Sequence, residues 1–164
     1  MEKRKGKGKG KEKKIMIMGV GNLLLRDEGF GIHFVKELEK LELPQSVDVL
    51  DGGVLGPNLL GYIEDLEKLI VVDVVNANAK PGTIFKIKPE QIKEASQKHI
   101  SSFHQIGILE VVEMAKILGK KLNTIIFAIQ PKTIEMGMQL SKELKEKIPE
   151  MIKLVLNEIK ISNI

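Results

Sequence analysis

Short runs of consecutive aliphatic residues alternate along this chain with stretches in which apolar residues recur every three or four positions. Uninterrupted apolar runs are typical of parallel strands that are covered on both faces, whereas the wider spacing is typical of amphipathic helices. The predicted strands are residues 15–18, 47–50, 69–72, 83–87 and 123–129. The predicted helices are residues 28–41, 58–63, 106–118 and 141–161, with a weak helix or a loop at 89–97.

This alternation predicts one α/β domain over residues 15–164, with a twisted, mostly parallel central sheet and helices on both faces. We expect about five strands, one of them antiparallel. Gly119 is a predicted C-cap for the helix before it. Pro149 interrupts the last helix and is expected either to kink it or to begin its main body.

Composition narrows the class of protein. The chain has 164 residues, of which 43% are hydrophobic, and it contains no cysteine. Disulfides, thiolate metal ligands and cysteine nucleophiles are therefore excluded. The apolar runs are far shorter than the roughly 20 residues of a membrane helix, and the basic start of the chain lacks the apolar core of a secretory signal. The sequence thus predicts a cytoplasmic protein that does not insert into a membrane.

The net charge of +4 is concentrated at one end of the chain. Residues 1–14 contain eight basic and two acidic residues and carry +6, which leaves −2 on the other 150 residues. A lysine-glycine alternation has nothing to bury and is predicted to be disordered. It could serve as an arm for nucleic acid, but no aromatic residues interleave the lysines to stack on bases. We therefore expect a solvated extension and no nucleic-acid partner.

Three polar residues lie where predicted strands end or a predicted helix begins. Glu28 follows the first strand, Asp73 comes directly after the aliphatic run 69–72, and His104 precedes Gln105 ahead of a helix. Ligands bind at the carboxyl ends of the strands in an open parallel sheet. Two carboxylates and an imidazole converging there would form a metal site suited to nickel or zinc.

Each of these residues also has an ordinary structural interpretation. Acidic residues favour the first turn of a helix, so Asp27 is interpreted as a cap, and Glu28 is either of the same kind or a ligand. Asp73 is costly to bury unless it is paired, hydrogen-bonded or bound to a metal, which favours a functional role. A lone histidine is more often a packing residue or a cap than a ligand. We interpret His33 in that way, and His104 taken alone would be interpreted likewise.

Two glycine-containing segments leave alternatives open. Asp51 ends the second strand before Gly52 and Gly53, where it is either a turn-forming aspartate or part of a rim whose backbone meets a partner. The segment 19–21 reads Gly-Val-Gly after a strand, which suggests a nucleotide- or dinucleotide-binding module. That fingerprint requires glycine at the position of Leu24, so a tight turn that permits close backbone approach is favoured.

Five segments, taken in order and at compatible spacing, resemble one known family. They are GVGNLLLRDEGFG at 19–31, Asp51-Gly52-Gly53, Val71-Val72-Asp73, His104-Gln105-Ile106-Gly107, and Ile129-Gln130-Pro131 with Ser141 downstream. The chain resembles the hydrogenase maturation endopeptidases, which process the large subunit of [NiFe] hydrogenases. The match leaves out the basic tail and departs from the family at Val54, where threonine is usual after the double glycine.

The resemblance implies a twisted sheet flanked by helices and a peptidase that acts on the hydrogenase large-subunit precursor. Such an enzyme removes a C-terminal extension after nickel has been inserted. The resemblance also implies that Glu28, Asp73 and His104 recognise the nickel, which is supplied by the substrate rather than permanently bound. The residues expected to bind the precursor's tail are Asp51, Gly52, Gly53, Gln105, Gln130 and Pro131.

Other functions remain open at this level. A nucleotide-binding module would use the 19–21 loop, and a non-enzymatic nickel chaperone would use the same three ligands without cutting the precursor. A further alternative is another peptidase that shares the fold but not the substrate. The chain lacks a GxSxG elbow, an HExxH helix and a Walker loop, so the group that activates the attacking water is not assigned. We expect the protein to be a monomer.

Overall fold

The computed structural model describes residues 14–53, 61–63, 65–96 and 103–162, with the backbone alone at 93–96, 103–107 and 161–162. Its strands are β1 (Lys14–Val20), β2 (Val47–Gly53), β3 (Leu66–Val74), β4 (Ile84–Ile87) and β5 (Asn123–Ile129). Its helices are α1 (Phe30–Leu38), α2 (Pro89–Ser96), α3 (Phe103–Ile117), α4 (Lys142–Lys145) and α5 (Ile148–Ser162). A 3-10 turn, Arg26–Gly29, leads directly into α1.

The five strands form one mixed sheet in the order β2-β1-β3-β5-β4. β1 pairs in parallel with β2 and β3, β3 pairs in parallel with β5, and β4 is antiparallel to β5. The predicted fold class, with one antiparallel strand, is confirmed. Because β2 lies on one side of β1 and β3 on the other, the strand order reverses between β1 and β3. In open α/β sheets, such a switch point opens a crevice at the carboxyl ends of the two strands.

Helices cover both faces of the sheet, as predicted. On one face, Phe30 and Phe34 of α1 pack with Met151 of α5 against the strands. On the other face, Ile92 of α2 and Ile108 of α3 belong to a second buried cluster. Since both faces are covered, β3 is buried at every position from 68 to 74. Among the described helices, none is both long and apolar enough to cross a bilayer.

Several predicted boundaries differ from the observed ones. The helix predicted at 28–41 is a 3-10 turn followed by α1, and β2 continues through Asp51 to Gly53 because it stays paired with β1. Gly119 follows α3 with φ of 77°, as a C-cap requires, and Pro149 is the second residue of α5. Residues 58–60 of the predicted helix 58–63 and residues 1–13 of the predicted tail lie outside the described residues, and Lys14 begins β1.

A buried ion cluster joins α5 to the amino end of the sheet. The carboxylate of Glu158 accepts hydrogen bonds from Nζ of Lys68 on β3 and from Nζ of Lys86 on β4, both at 2.6 Å. Lys68 and Glu158 are only 5% and 6% exposed. Burial would raise the pKa of Glu158, but the hydrogen bonds and charges of the two lysines outweigh it, so the pKa lies below its usual value.

We predict that Glu158→Ala lowers the free energy of unfolding at pH 7 by about 3 kcal/mol, because it removes the carboxylate partner of a buried lysine. A carboxyl group with a lowered folded-state pKa stabilises the fold above its ordinary pKa. That stabilisation is lost as the pH falls through the folded-state value. The difference between the two proteins should therefore shrink in urea unfolding curves recorded at successively lower pH.

The exposed pair of Lys40 and Glu37 provides the control. Glu37→Ala should cost less than about 1 kcal/mol, since exposed ion pairs contribute little. A stability difference for Glu158→Ala that stays constant from neutral to acidic pH would contradict the prediction.

Candidate functional site

The 3-10 turn that carries Glu28 is fixed to a distant loop by the carboxylate of its neighbour, Asp27. Asp27 is fully buried. Its Oδ1 accepts a hydrogen bond from the Ser141 N–H at 2.7 Å. Its Oδ2 accepts three, from the N–H groups of Lys132 and Thr133 and from the Ser141 hydroxyl, at 2.9 to 3.0 Å. The interpretation of Asp27 as a helix cap is therefore wrong: its partners belong to the loop that follows β5, and neither adjoining helix start has a side-chain cap.

Backbone hydrogen bonds strengthen the same connection. The N–H of Gly137 donates to the carbonyl of Leu24 at 2.9 Å, and the N–H of Arg26 donates to the carbonyl of Gly137 at 2.7 Å. The N–H of Asp27 donates to the carbonyl of Thr133 at 3.2 Å. We call this assembly, formed by residues 24–27 and 132–141, the Asp27 clamp. It fixes the position of the turn on which Glu28 lies.

Two glycines allow that turn and the start of α1 to lie directly on the sheet. A Cβ atom on Gly21 would overlap the carbonyl oxygen of Glu28. A Cβ atom on Gly31 would overlap the backbone of Val20 in β1 and the carbonyl oxygen of Val72 in β3. The close backbone approach predicted at the first glycine cluster is confirmed. Half-buried Glu28 is thereby held beside the carboxyl ends of β1 and β3.

Asp73 lies at the same end of the sheet, one residue before the last residue of β3. It is fully buried, and its Oδ1 accepts a hydrogen bond from the N–H of Val74 at 2.7 Å. The register pairs Val72 with Gly19 of β1, so Asp73 is level with the end of β1 from which the chain proceeds to Glu28. Glu28, on the turn that follows β1, and Asp73, near the end of β3, therefore lie at the same end of the two strands that flank the switch point.

His104 is the second residue of α3, and its side chain is outside the described set. α3 precedes β5, so its C-terminus lies at the amino end of the sheet. At the usual rise per residue, the 15 residues of α3 span about 22 Å and the 7 residues of β5 about 23 Å. The backbone therefore places His104 toward the carboxyl end of the sheet, and Gln105 follows it there.

The described side chains contain no group of three His, Asp or Glu residues that could hold a metal ion. The imidazole of His104 lies outside those described side chains. The triad of Glu28, Asp73 and His104 therefore remains a prediction. Asp27 is a poor ligand by comparison, because four hydrogen bonds already engage both of its oxygens.

The end of β2 borders the site. Oδ1 of Asp51 accepts a hydrogen bond from the N–H of Gly53 at 2.9 Å, and Gly53 has φ of 48°, so the turn-forming interpretation of Asp51 is confirmed. The carbonyl of Gly53 in turn accepts a hydrogen bond from the N–H of Gly21 at 3.1 Å. Contact of Asp51, Gly52 and Gly53 with a partner remains a prediction.

Gln130 lies just past β5, and its side chain is buried. Its Oε1 accepts hydrogen bonds from the N–H groups of Ala77 and Ala79 at 2.8 and 3.2 Å, and its Nε2 donates to Asn76 and to the carbonyl of Pro131. Gln130 therefore braces the loop that follows β3. The predicted binding of substrate by Gln130 and Pro131 is not tested by these contacts.

His33 of α1 contacts the clamp rather than the candidate metal site. Its Nε2 lies 3.2 Å from the carbonyl oxygen of Met138. Burial lowers the pKa of His33, and the carbonyl of Met138 offsets part of that effect. The structural interpretation of His33 agrees with this contact.

The clamp is the feature that sequence reasoning missed. We predict that Asp27→Asn lowers the free energy of unfolding by about 2–3 kcal/mol. Both oxygens of Asp27 accept hydrogen bonds, so the NH2 group of the asparagine must face at least one N–H or O–H donor in place of an acceptor. Ser141→Ala removes only the hydroxyl and should cost about 1 kcal/mol. Urea unfolding at neutral pH would compare the two, and equal stabilities would contradict a central role for the carboxylate.

Comparisons with known proteins agree with this architecture. A family model described as hydrogenase maturation protease matches residues 32–158. The hydrogenase 2 maturation protease of Escherichia coli strain K12 is 31% identical over 154 residues, which cover 91% of this chain and 92% of that protein. The coenzyme F420 hydrogenase subunit delta of Methanothermobacter thermautotrophicus is 32% identical over 156 residues, covering 90% of this chain and 95% of that protein.

Among solved structures, the hydrogenase maturating endopeptidase HybD from Escherichia coli superposes with a TM-score of 0.82 at 30% sequence identity. The superposition covers 91% of this chain and 93% of that one. The family match excludes Glu28 but includes Asp73, His104 and the clamp's second segment. The fold, the extent of the family match and the identity to these relatives lead to one conclusion: the chain belongs to the hydrogenase maturation protease family.

Proposed function

We propose that this chain removes the C-terminal extension of a [NiFe]-hydrogenase large-subunit precursor in the cytoplasm, and that it recognises the precursor by the nickel already inserted in it. The observation that carries the proposal is that the 3-10 turn bearing Glu28 and the end of β3 bearing Asp73 both lie at the carboxyl end of the sheet, beside the switch point. Membership of the hydrogenase maturation protease family supports the peptidase activity. The topology that directs His104 toward the same end of the sheet supports a third ligand.

The donor set fits nickel carried by a substrate. Carboxylate oxygens and an imidazole nitrogen are ligands that nickel accepts in proteins, alongside thiolates. This chain has no cysteine, so any thiolate in the coordination sphere must come from the precursor. Nickel held by the precursor's thiolates would then be bound at the crevice by Glu28, Asp73 and His104. There it could also polarise a carbonyl group or a water molecule.

The residues of the chain contribute mainly by positioning. The N–H of Val74 orients the carboxylate of Asp73, and the Asp27 clamp fixes the turn that carries Glu28. Ligands that are already held in place need little reorganisation when the substrate binds. The scissile peptide is then confined beside the crevice, and confinement of this kind lowers the barrier by proximity.

The same arrangement accounts for selection of the loaded precursor. Two carboxylates near one crevice attract a cation, so they favour binding of a precursor that carries the metal over binding of one that lacks it. The turn at Asp51 and the loop braced by Gln130 flank this end of the sheet. We propose that they hold the precursor's tail once the metal is bound.

Cleavage should depend on the metal in the substrate. A [NiFe]-hydrogenase large-subunit precursor, prepared with and without nickel, would be incubated with the purified protein and the products weighed by mass spectrometry. We expect the nickel-free precursor to lose its C-terminal peptide at least about 100-fold more slowly, because it is not positioned. Equal rates would exclude nickel as the recognition signal. An unchanged mass for both would favour a nickel chaperone over a peptidase.

The three proposed ligands should be needed for activity but not for folding. Glu28→Gln, Asp73→Asn and His104→Ala are each expected to lower kcat/KM on the nickel-loaded precursor by about 100-fold. Asp48→Asn, at an exposed position on β2, is the matched control and should cleave normally. Circular dichroism would verify that every variant is folded. Normal cleavage by the His104 variant would exclude His104 as a ligand and indicate a structural role for it.

A further inference from the structure

Four large apolar side chains are exposed on the Asp27 clamp. Leu24 is 57% exposed, Ile134 59%, Met136 84% and Met138 60%. They come from two segments that hydrogen-bond to each other, since Gly137, between the two methionines, pairs with Leu24 and Arg26. We call these four side chains the apolar rim. Clustered exposed apolar side chains of this kind commonly mark an interaction surface.

The apolar rim is exposed on a backbone that is firmly held. Asp27 binds the N–H of Thr133, next to Ile134, and the N–H and hydroxyl of Ser141 at the far end of the loop. The isolated bridge between Leu25 and Gly137 holds the middle of the loop. The chain therefore maintains a fixed support for apolar side chains that contribute nothing to its core.

The apolar rim is continuous with the candidate site. The segment that bears Leu24 also bears Glu28, and it follows β1 at the carboxyl end of the sheet. The second segment, with Ile134 and both methionines, follows β5 at that same end. A polypeptide whose metal lies at the crevice would thus have the apolar rim beside it.

Two of the charged side chains near the apolar rim are engaged within the chain. Nζ of Lys132 pairs with Glu143, and Nε of Arg26 donates to the carbonyl of Gln139 at 3.3 Å. Glu135, between Ile134 and Met136, is exposed. Lys36, Glu37 and Lys145 border Met138, so the apolar rim offers apolar contact area beside charges of both signs. Methionine side chains are flexible and polarisable, so they adapt to partners of differing shape.

We infer that the apolar rim is the docking surface for an extended apolar segment of the precursor polypeptide, adjacent to the bond that is cut. This inference rests on the proposed function. A second copy of the chain is a weaker occupant, because four side chains offer only a few hundred Å² at most. A stable dimer buries roughly 800 Å² on each partner.

The test compares two triple variants on the nickel-loaded precursor. Ile134→Ser, Met136→Ser and Met138→Ser together remove most of the apolar rim. Leu41→Ser, Ile117→Ser and Leu118→Ser remove exposed apolar area elsewhere and serve as the matched control; these three residues are 44%, 77% and 64% exposed. Kd for the precursor would be measured by calorimetry, and KM and kcat by mass spectrometry.

We expect the variant of the apolar rim to raise Kd and KM about tenfold and to leave kcat within about twofold, while the control matches the unsubstituted chain. Unchanged Kd and KM, with cleavage intact, would overturn the docking surface and leave the proposed function standing. Failure of the unsubstituted chain to cut the precursor would overturn the proposed function and the docking surface with it. A dimer seen by sedimentation, and abolished by the same variant without a change in Kd, would reassign the apolar rim to self-association.

Discussion

The arrangement of the candidate site depends on one buried carboxylate. Asp27 is shielded from water and accepts four hydrogen bonds, all from residues that follow β5. If the loop moved away, the charge would remain in the interior without those donors, which costs several kcal/mol. The 3-10 turn and the loop are therefore positioned together. Since Glu28 lies on that turn and three residues of the apolar rim lie on that loop, the same interaction fixes the proposed metal ligand Glu28 and the proposed docking surface relative to each other.

The sheet adds a second constraint, which comes from absent side chains rather than from a charge. Gly21 and Gly31 let the turn and the first residues of α1 rest on the backbone of β1 and β3. Those two strands flank the switch point, so this close backbone packing occurs where a ligand is expected to bind. A larger residue at Gly31 would overlap the backbone of Val20 and Val72 and displace the start of α1.

Much of the fold could be predicted because it follows from local pattern. The five strands, the C-cap at Gly119 and the helix start near Pro149 depend on residues close together in sequence. The role of Asp27 could not be predicted in this way, since an acid before a helix looks like a cap, whereas its true partners lie more than 100 residues away. Ser141 was part of the family resemblance, but its role became apparent only from its contact with Asp27. The continuation of β2 through Asp51 depends on pairing with β1, which local pattern does not reveal.

The buried acids also show why burial alone does not identify a metal ligand. Glu158 is neutralised by two lysines at the amino end of the sheet, and Asp27 is saturated by N–H and O–H donors. A metal ion could bind either one only by displacing several hydrogen bonds. Asp73 is also buried and differs from them in its place, since it lies at the carboxyl end of β3, where open α/β sheets bind their ligands. Within the acidic pair that precedes α1, the structural contacts thus assign anchoring to Asp27, and Glu28 remains the residue that we propose as a metal ligand.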